Sequence, residues 1–147
     1  MIVRPAARAD RDAWLALRIT LWPDEDAAEL GAKIDAYFAG REPFLARVLL
    51  CENEGRIAGM IELSLRSIAE ACRTTPVPYV EGWCVAPDVR GHGVGRALMQ
   101  GAEDWARAGG YAEIASDTNL DNTTSQAIHA KLGFKETDRI VTFRKPL

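Results

Sequence analysis

Residues 83–98 read WCVAPDVRGHGVGRAL. Gly91, Gly93 and Gly95 alternate between a short apolar run and a helix-like run. Each glycine lets the backbone approach a ligand without a Cβ in the way. A helix N-terminus leaves its first N–H groups without partners, and its dipole favours an anion. Arg90 and Arg96 bracket the loop with positive charge. An adjacent pair of phosphates would satisfy such a loop. A glycine-rich turn with no ligand is the plainer reading of three glycines alone. The loop is not a nucleotide P-loop, because no Lys-Ser/Thr pair follows the last glycine. Its spacing also departs from the dinucleotide fingerprint.

Outward from this loop the chain alternates strands and helices. MIVRP reads as a first strand. From Asp10, a predicted N-cap, Trp14, Leu17, Arg18 and Leu21 fall at helical spacing. Pro23 breaks that helix, and a second spans about Asp26 to Ala39. Two apolar runs around Asn53-Glu54-Gly55 predict a hairpin. Ser67 to Pro76 reads as a loop and Tyr79 to Val85 as a strand. Gly93 to Ala108 reads as a helix stopped by Gly109-Gly110. AEIASD is a further strand, and Asn122 to Lys131 a helix ended by Gly133. The last residues, KETDRIVTFRKPL, are expected to form one or two strands. This order predicts one α/β domain over residues 1–147, a mixed sheet with parallel neighbours in its C-terminal half.

Composition narrows the partners. The chain has 147 residues, 48% apolar and 27% charged, with a net charge of −3. That suits one globular core and argues against nucleic acid as the main partner. No apolar run approaches a membrane span. MIVRPAARAD lacks an apolar signal core, so a cytoplasmic protein is expected. Cys51, Cys72 and Cys84 form no CxxC pair and read as reduced thiols, with neither a disulfide frame nor a metal site.

Four features suggest a cationic substrate. Glu81 sits within an apolar strand, where a carboxylate costs free energy unless paired or functional. Asp117 ends a strand on the edge where open α/β sheets bind ligands. Trp22 stands beside Asp24, Glu25 and Asp26. Asp138 and Glu136 lie near the end of the chain. The ordinary alternatives are an exposed strand residue, a turn aspartate and a core tryptophan beside a solvated charge run.

VAPDVRGHGVGRALM resembles the acyl-CoA loop of the GNAT superfamily of N-acetyltransferases. NTTSQAIHAKLGF, Asn122 to Phe134, resembles that family's Asn…Leu-Gly-Phe segment after the fifth strand. RITLWP, VEGWCVAPDVRGHGVGRALM, ASDTNLDNTTSQAIHAKLGFKETDRI and FRKPL resemble the aminoglycoside 6'-N-acetyltransferases, most strongly from Val77 to Arg144. The resemblance implies the GNAT fold, with strands 4 and 5 splayed apart to admit the pantetheine arm of acetyl-CoA. It implies that Trp83, Cys84 and Val85, the loop Arg90, Gly91, His92, Gly93, Val94, Gly95 and Arg96, and Asn122 bind the cosubstrate. It implies that Trp22, Glu81, Asp117 and Asp138 contact an aminoglycoside and that the protein is a homodimer; Glu81 is then expected to bind the amine and accept its proton, directly or through a water. His129 stands where many members carry a tyrosine that protonates the leaving thiolate. The loop Ser67 to Pro76 lacks the aromatic residue often found there in the aminoglycoside group. Acetylation of another amine, such as a polyamine or protein N-terminus, and a non-catalytic acyl-CoA-binding module stay open as alternatives.

Overall fold

The computed structural model describes residues 1–147. Five strands form one sheet in sequence order: β1 (Ile2–Pro5), β2 (Arg47–Asn53), β3 (Arg56–Arg66), β4 (Val77–Val85) and β5 (Ala115–Ser116). The first three pairings are antiparallel, and β4 with β5 is parallel. The sheet is mixed, as expected. Glu54 and Gly55 both take positive φ in the two residues joining β2 to β3, the geometry of a tight hairpin.

Alternation along β2 separates two cores. Leu49 and Cys51 face the helix α3 (Val94–Ala108), with Val80, Leu98 and Met99. Val48 and Leu50 face α1 (Arg11–Leu21) and α2 (Ala27–Phe38), with Trp14, Ile34 and Met60. A period of two puts successive side chains on opposite faces, so one strand seeds both layers. Asp26 caps α2 by accepting the N–H of Glu29 at 3.0 Å. The short α4 (Thr123–Lys131) follows β5, and the chain turns at Gly133 in positive φ.

Three expectations change. Asp10 makes no side-chain cap on α1. Its carboxylate instead accepts the N–H of Ala7 at 2.8 Å and a two-pronged pair from Arg4 at 2.7 and 2.9 Å. It therefore ties β1 to the turn before α1. AEIASD contributes a strand of only two residues, Ala115–Ser116. The C-terminal segment forms no strand at all. Its residues from Lys135 onward are exposed and make no ladder pairing with the sheet.

Candidate active site

The glycine loop leads into α3 through two left-handed positions, Gly91 at φ 81° and Gly93 at φ 89°. Gly93 is the residue before the helix, and a side chain at either position would be strained. The N–H groups of Gly91, Gly93, Val94, Gly95 and Arg96 donate to no acceptor in the chain. Five free donors at one helix N-terminus form an anion-suited cradle. Gly95 serves differently: a Cβ there would stand 3.2 Å from the Trp83 ring, so its absence lets α3 close on β4. Arg90 is held at the loop's entrance, its Nε donating to the Val85 carbonyl at 3.1 Å. His92 and Arg96 are exposed along the loop.

Beside this cradle β4 loses its neighbour. Pairing with β5 is confined to Tyr79↔Ala115 and Val80↔Ser116. From Glu81 to Val85 the outer edge of β4 is unpaired by any strand. Such an edge accepts an added extended chain through backbone hydrogen bonds. Trp83 faces α3 and meets His129 edge to face, ring centroids 5.6 Å apart. His129 Nδ1–H donates to the Ser125 carbonyl at 2.8 Å, and Nε2 pairs with the Ser116 hydroxyl at 2.9 Å. Asn122 caps α4, its side chain accepting the N–H of Ser125 at 3.0 Å. Cys84 is buried in the opposite layer. Burial pushes its thiol above the ordinary range, so it is neutral at physiological pH.

Glu81 owes its position to a bulge. Glu62 of β3 pairs with Gly82, and Leu63 pairs with Val80, which leaves Glu81 as the extra residue on β4. Bulges re-aim side chains. Here the carboxylate enters a cleft of about 300 Å³ bordered by Trp22, Glu25, Glu42 and Glu62. Four glutamates against Arg18 and Lys33 give the cleft a net negative lining. Glu81 is 12% exposed and fully engaged. Ser64 Oγ donates to it, and Arg66 forks onto both its oxygens at 2.8 and 2.7 Å.

Trp22 enters the same cleft from the end of α1. Its ring rests on Gly82, where a Cβ would stand 2.8 Å away. The Arg18 guanidinium lies over both Trp14 and Trp22. Arg18 also forks onto Glu62 at 2.7 and 3.0 Å, and Trp14 Nε1 donates to the same carboxylate at 2.6 Å. Glu62 is 1% exposed. Like Glu81 it is a carboxylate inside an apolar strand, the signal by which the sequence marks it.

The other acidic residues are less central. Asp117 is exposed just past β5 and accepts the Tyr79 hydroxyl at 2.8 Å. Burial and that bond raise the Tyr79 phenol well above its usual range. Arg66 stacks on the same ring, 3.5 Å from its centroid, so Asp117 connects to Glu81 through Tyr79 and Arg66. Asp138 does not line the cleft, and its carboxylate accepts the neighbouring N–H of Arg139. The loop Ser67 to Pro76 is pinned by Glu113, which accepts the N–H groups of Arg73 and Thr74.

A helix N-terminus with five free N–H groups thus stands in one molecule with an unpaired β4 edge and an acidic cleft. The model of the Acetyltransferase (GNAT) family matches residues 10–134. This chain is a member of the GNAT acetyltransferase family. Among curated proteins, this GNAT chain is 42% identical to an aminoglycoside N(6')-acetyltransferase type 1 of Klebsiella aerogenes, over 99% of this chain and 97% of the other. It superposes on the aminoglycoside 6'-N-acetyltransferase AAC(6')-IG of Acinetobacter haemolyticus with a TM-score of 0.88 and 35% identity, covering 100% and 99% of the two chains. The TM-score is also 0.88, at 31% identity, against AAC(6')-Iy bound to the bisubstrate analogue CoA-S-monomethyl-acetylneamine, covering 99% and 98%.

Proposed function

We propose that this GNAT enzyme transfers an acetyl group from acetyl-CoA to the 6' amine of an aminoglycoside, directly and within a ternary complex. One juxtaposition carries the reading. The five free N–H groups, the open edge of β4 and the Glu81 carboxylate lie along a single strand-to-helix unit. The relatives named above support the choice of acceptor.

In this reading the N–H groups from Gly91 to Arg96 hold the diphosphate of CoA. Arg90 and Arg96 neutralise it, and Asn122 flanks the pantetheine. Trp83, Cys84 and Val85 present the backbone edge along which the pantetheine runs, and an N–H near Val85 faces the thioester oxygen. A fixed dipole there stabilises the oxyanion of the tetrahedral intermediate. The acceptor arrives as an ammonium, so one carboxylate must both attract it and take its proton. Glu81 does this, with Trp22 covering the sugar ring and the acidic lining of the cleft attracting the remaining ammonium groups. Asp117 and Asp138 lie outside the cleft and contact the far ends of a longer acceptor. The amine nitrogen attacks the thioester carbon, the C–S bond breaks, and the CoA thiolate leaves. His129, paired with Ser116, is the candidate donor of the thiolate's proton. A neutral, buried Cys84 is unsuited to carry an acyl group, which favours direct transfer.

The enzyme works as a homodimer in the cytoplasm, where acetyl-CoA is made and used. The C-terminal segment supports pairing: Phe143 is 93% and Val141 69% exposed, and a second copy would cover them. Three unpaired cysteines suit a reducing compartment. No helix is long and apolar enough to cross a membrane.

A panel of amines assayed with acetyl-CoA tests the function. Aminoglycosides with a free 6' amine should be turned over and mono-acetylated at that nitrogen, as product NMR would show. Turnover of polyamines or peptide N-termini in their place would overturn the choice of acceptor. CoA binding with no transfer to any amine would overturn catalysis altogether.

A further inference from the structure

The acceptor position described above already holds a cation that belongs to the chain. Arg66 closes β3, and its Nε and Nη2 donate to separate oxygens of Glu81 at 2.8 and 2.7 Å. This is the two-pronged geometry that makes arginine–carboxylate pairs strong. The guanidinium is fixed a second time by the Tyr79 ring beneath it, 3.5 Å from the centroid. Glu81 lines the cleft, and Arg66 beside it is 36% exposed at the side chain. An incoming ammonium therefore meets a carboxylate whose charge is already matched.

We infer that Arg66 is an internal competitor of the acceptor amine: its guanidinium occupies Glu81 in the resting enzyme and must leave before an ammonium can dock. This rests on the reading of Glu81 as the acceptor's anchor. The exchange is isoelectric, one cation for another on one carboxylate, and no covalent bond changes. A released Arg66 keeps its stacking partner and has a second anion at hand. Tyr79 Oη donates to Asp117 at 2.8 Å, so that carboxylate lies at the hydroxyl end of the ring on which Arg66 stacks. Asp117 thus receives the displaced guanidinium, while Ser64 remains on Glu81 to orient it.

The consequence is a threshold for acceptors. An amine that makes no contact beyond Glu81 gains little by replacing a forked guanidinium. An acceptor that also fills the acidic cleft with further ammonium groups, near Glu25 and Glu42, overcomes the exchange. Arg66 thereby sets how strongly an acceptor must bind and favours polycations in absolute rate.

A positioning role for Arg66 predicts the opposite sign from competition. Were Arg66 needed to aim Glu81, its loss would weaken acceptor binding. Competition predicts that Arg66→Met, which keeps the stem on Tyr79, tightens acceptor binding about tenfold. The measurement is calorimetric titration of the CoA-saturated enzyme with an aminoglycoside. The same titration on Glu81→Gln and on the Arg66→Met/Glu81→Gln double variant completes a cycle. The tightening should vanish in the Glu81→Gln background, because the competition acts only through that carboxylate. A gain that persists there would mean simple removal of a positive charge, and would overturn the inference. Unchanged or weaker binding by Arg66→Met would overturn it too. If Glu81→Gln leaves both affinity and turnover unchanged, the underlying reading of Glu81 fails instead. Should Arg66→Met not fold, as judged by lost CoA binding, Arg66→Lys decides: without the fork it should also tighten acceptor binding, and equal or weaker binding would overturn the proposal.

Discussion

The indole of Trp22 rests on Gly82, so closely that a Cβ at Gly82 would stand 2.8 Å from Cη2. Gly82 is also the partner of Glu62 beside the bulge that turns Glu81 into the cleft. One missing methyl group therefore seats the aromatic wall next to the carboxylate. Gly82→Ala should push the ring outward and raise the acceptor KM about tenfold, while CoA affinity stays within about twofold. Steady-state kinetics with each substrate varied in turn would check this. Equal weakening of both substrates would mean that the strand itself had moved.

Gly93→Val should act on the other substrate. The position needs φ near 89°, and the N–H groups that follow it are free. A β-branched residue there strains the loop and turns the donors away. CoA affinity should fall by about two orders of magnitude, a loss of about 2.7 kcal/mol. Calorimetry with CoA alone reads the change, and unaltered affinity would count against the phosphate cradle.

His129→Gln should lower kcat less than tenfold. A thiolate is a good leaving group, so a general acid adds little to its departure. The edge-to-face contacts with Trp83 and Phe134 predict a larger effect on stability than on chemistry. Thermal melts beside kcat would separate the two, and a loss above a hundredfold in kcat at full stability would make His129 indispensable.

The Arg4–Asp10 pair gives a signed pH dependence. The Arg4 guanidinium and then the Ala7 N–H hold the Asp10 carboxyl below its ordinary value. The unfolded chain thus binds this proton more readily than the native one. The pair's contribution is present above the unfolded pKa of about 3.9 and is lost as pH falls through the lower native value. Asp10→Asn should cost about 1–2 kcal/mol at pH 7, Arg4 being partly exposed. It should also flatten the acid limb of the stability curve. Urea titrations from pH 7 to 2 would reveal an unchanged limb if the pair were idle.

The sequence exposes what depends on backbone chemistry. The donor cradle needs glycines at fixed spacing before a helix, and that pattern is visible as letters. Glu81 was legible because a carboxylate stands out in an apolar strand. Glu62 stood out equally, but its partners Arg18 and Trp14 lie 44 and 48 residues away, and only the fold brings them together. Arg66 was invisible for a related reason: its meeting with Glu81 depends on a one-residue bulge that no local pattern encodes. Asp10 has the right residue type for a helix cap, yet Arg4 across the turn offers it a stronger, charged partner. The segment after Phe134 carries β-forming residues, but a strand needs a neighbour to pair with, and the ladder ends at β5.

The central claim is that Glu81 anchors the acceptor amine and takes its proton, and Glu81→Gln tests it most directly. The variant keeps the shape and can still accept from Ser64, but it loses the charge and the basicity. kcat/KM for a 6'-amino aminoglycoside at saturating acetyl-CoA should fall at least about a hundredfold, in the range expected for loss of a general base. CoA affinity should remain that of the parent enzyme. Parent-like turnover by a variant that binds CoA normally would contradict the account.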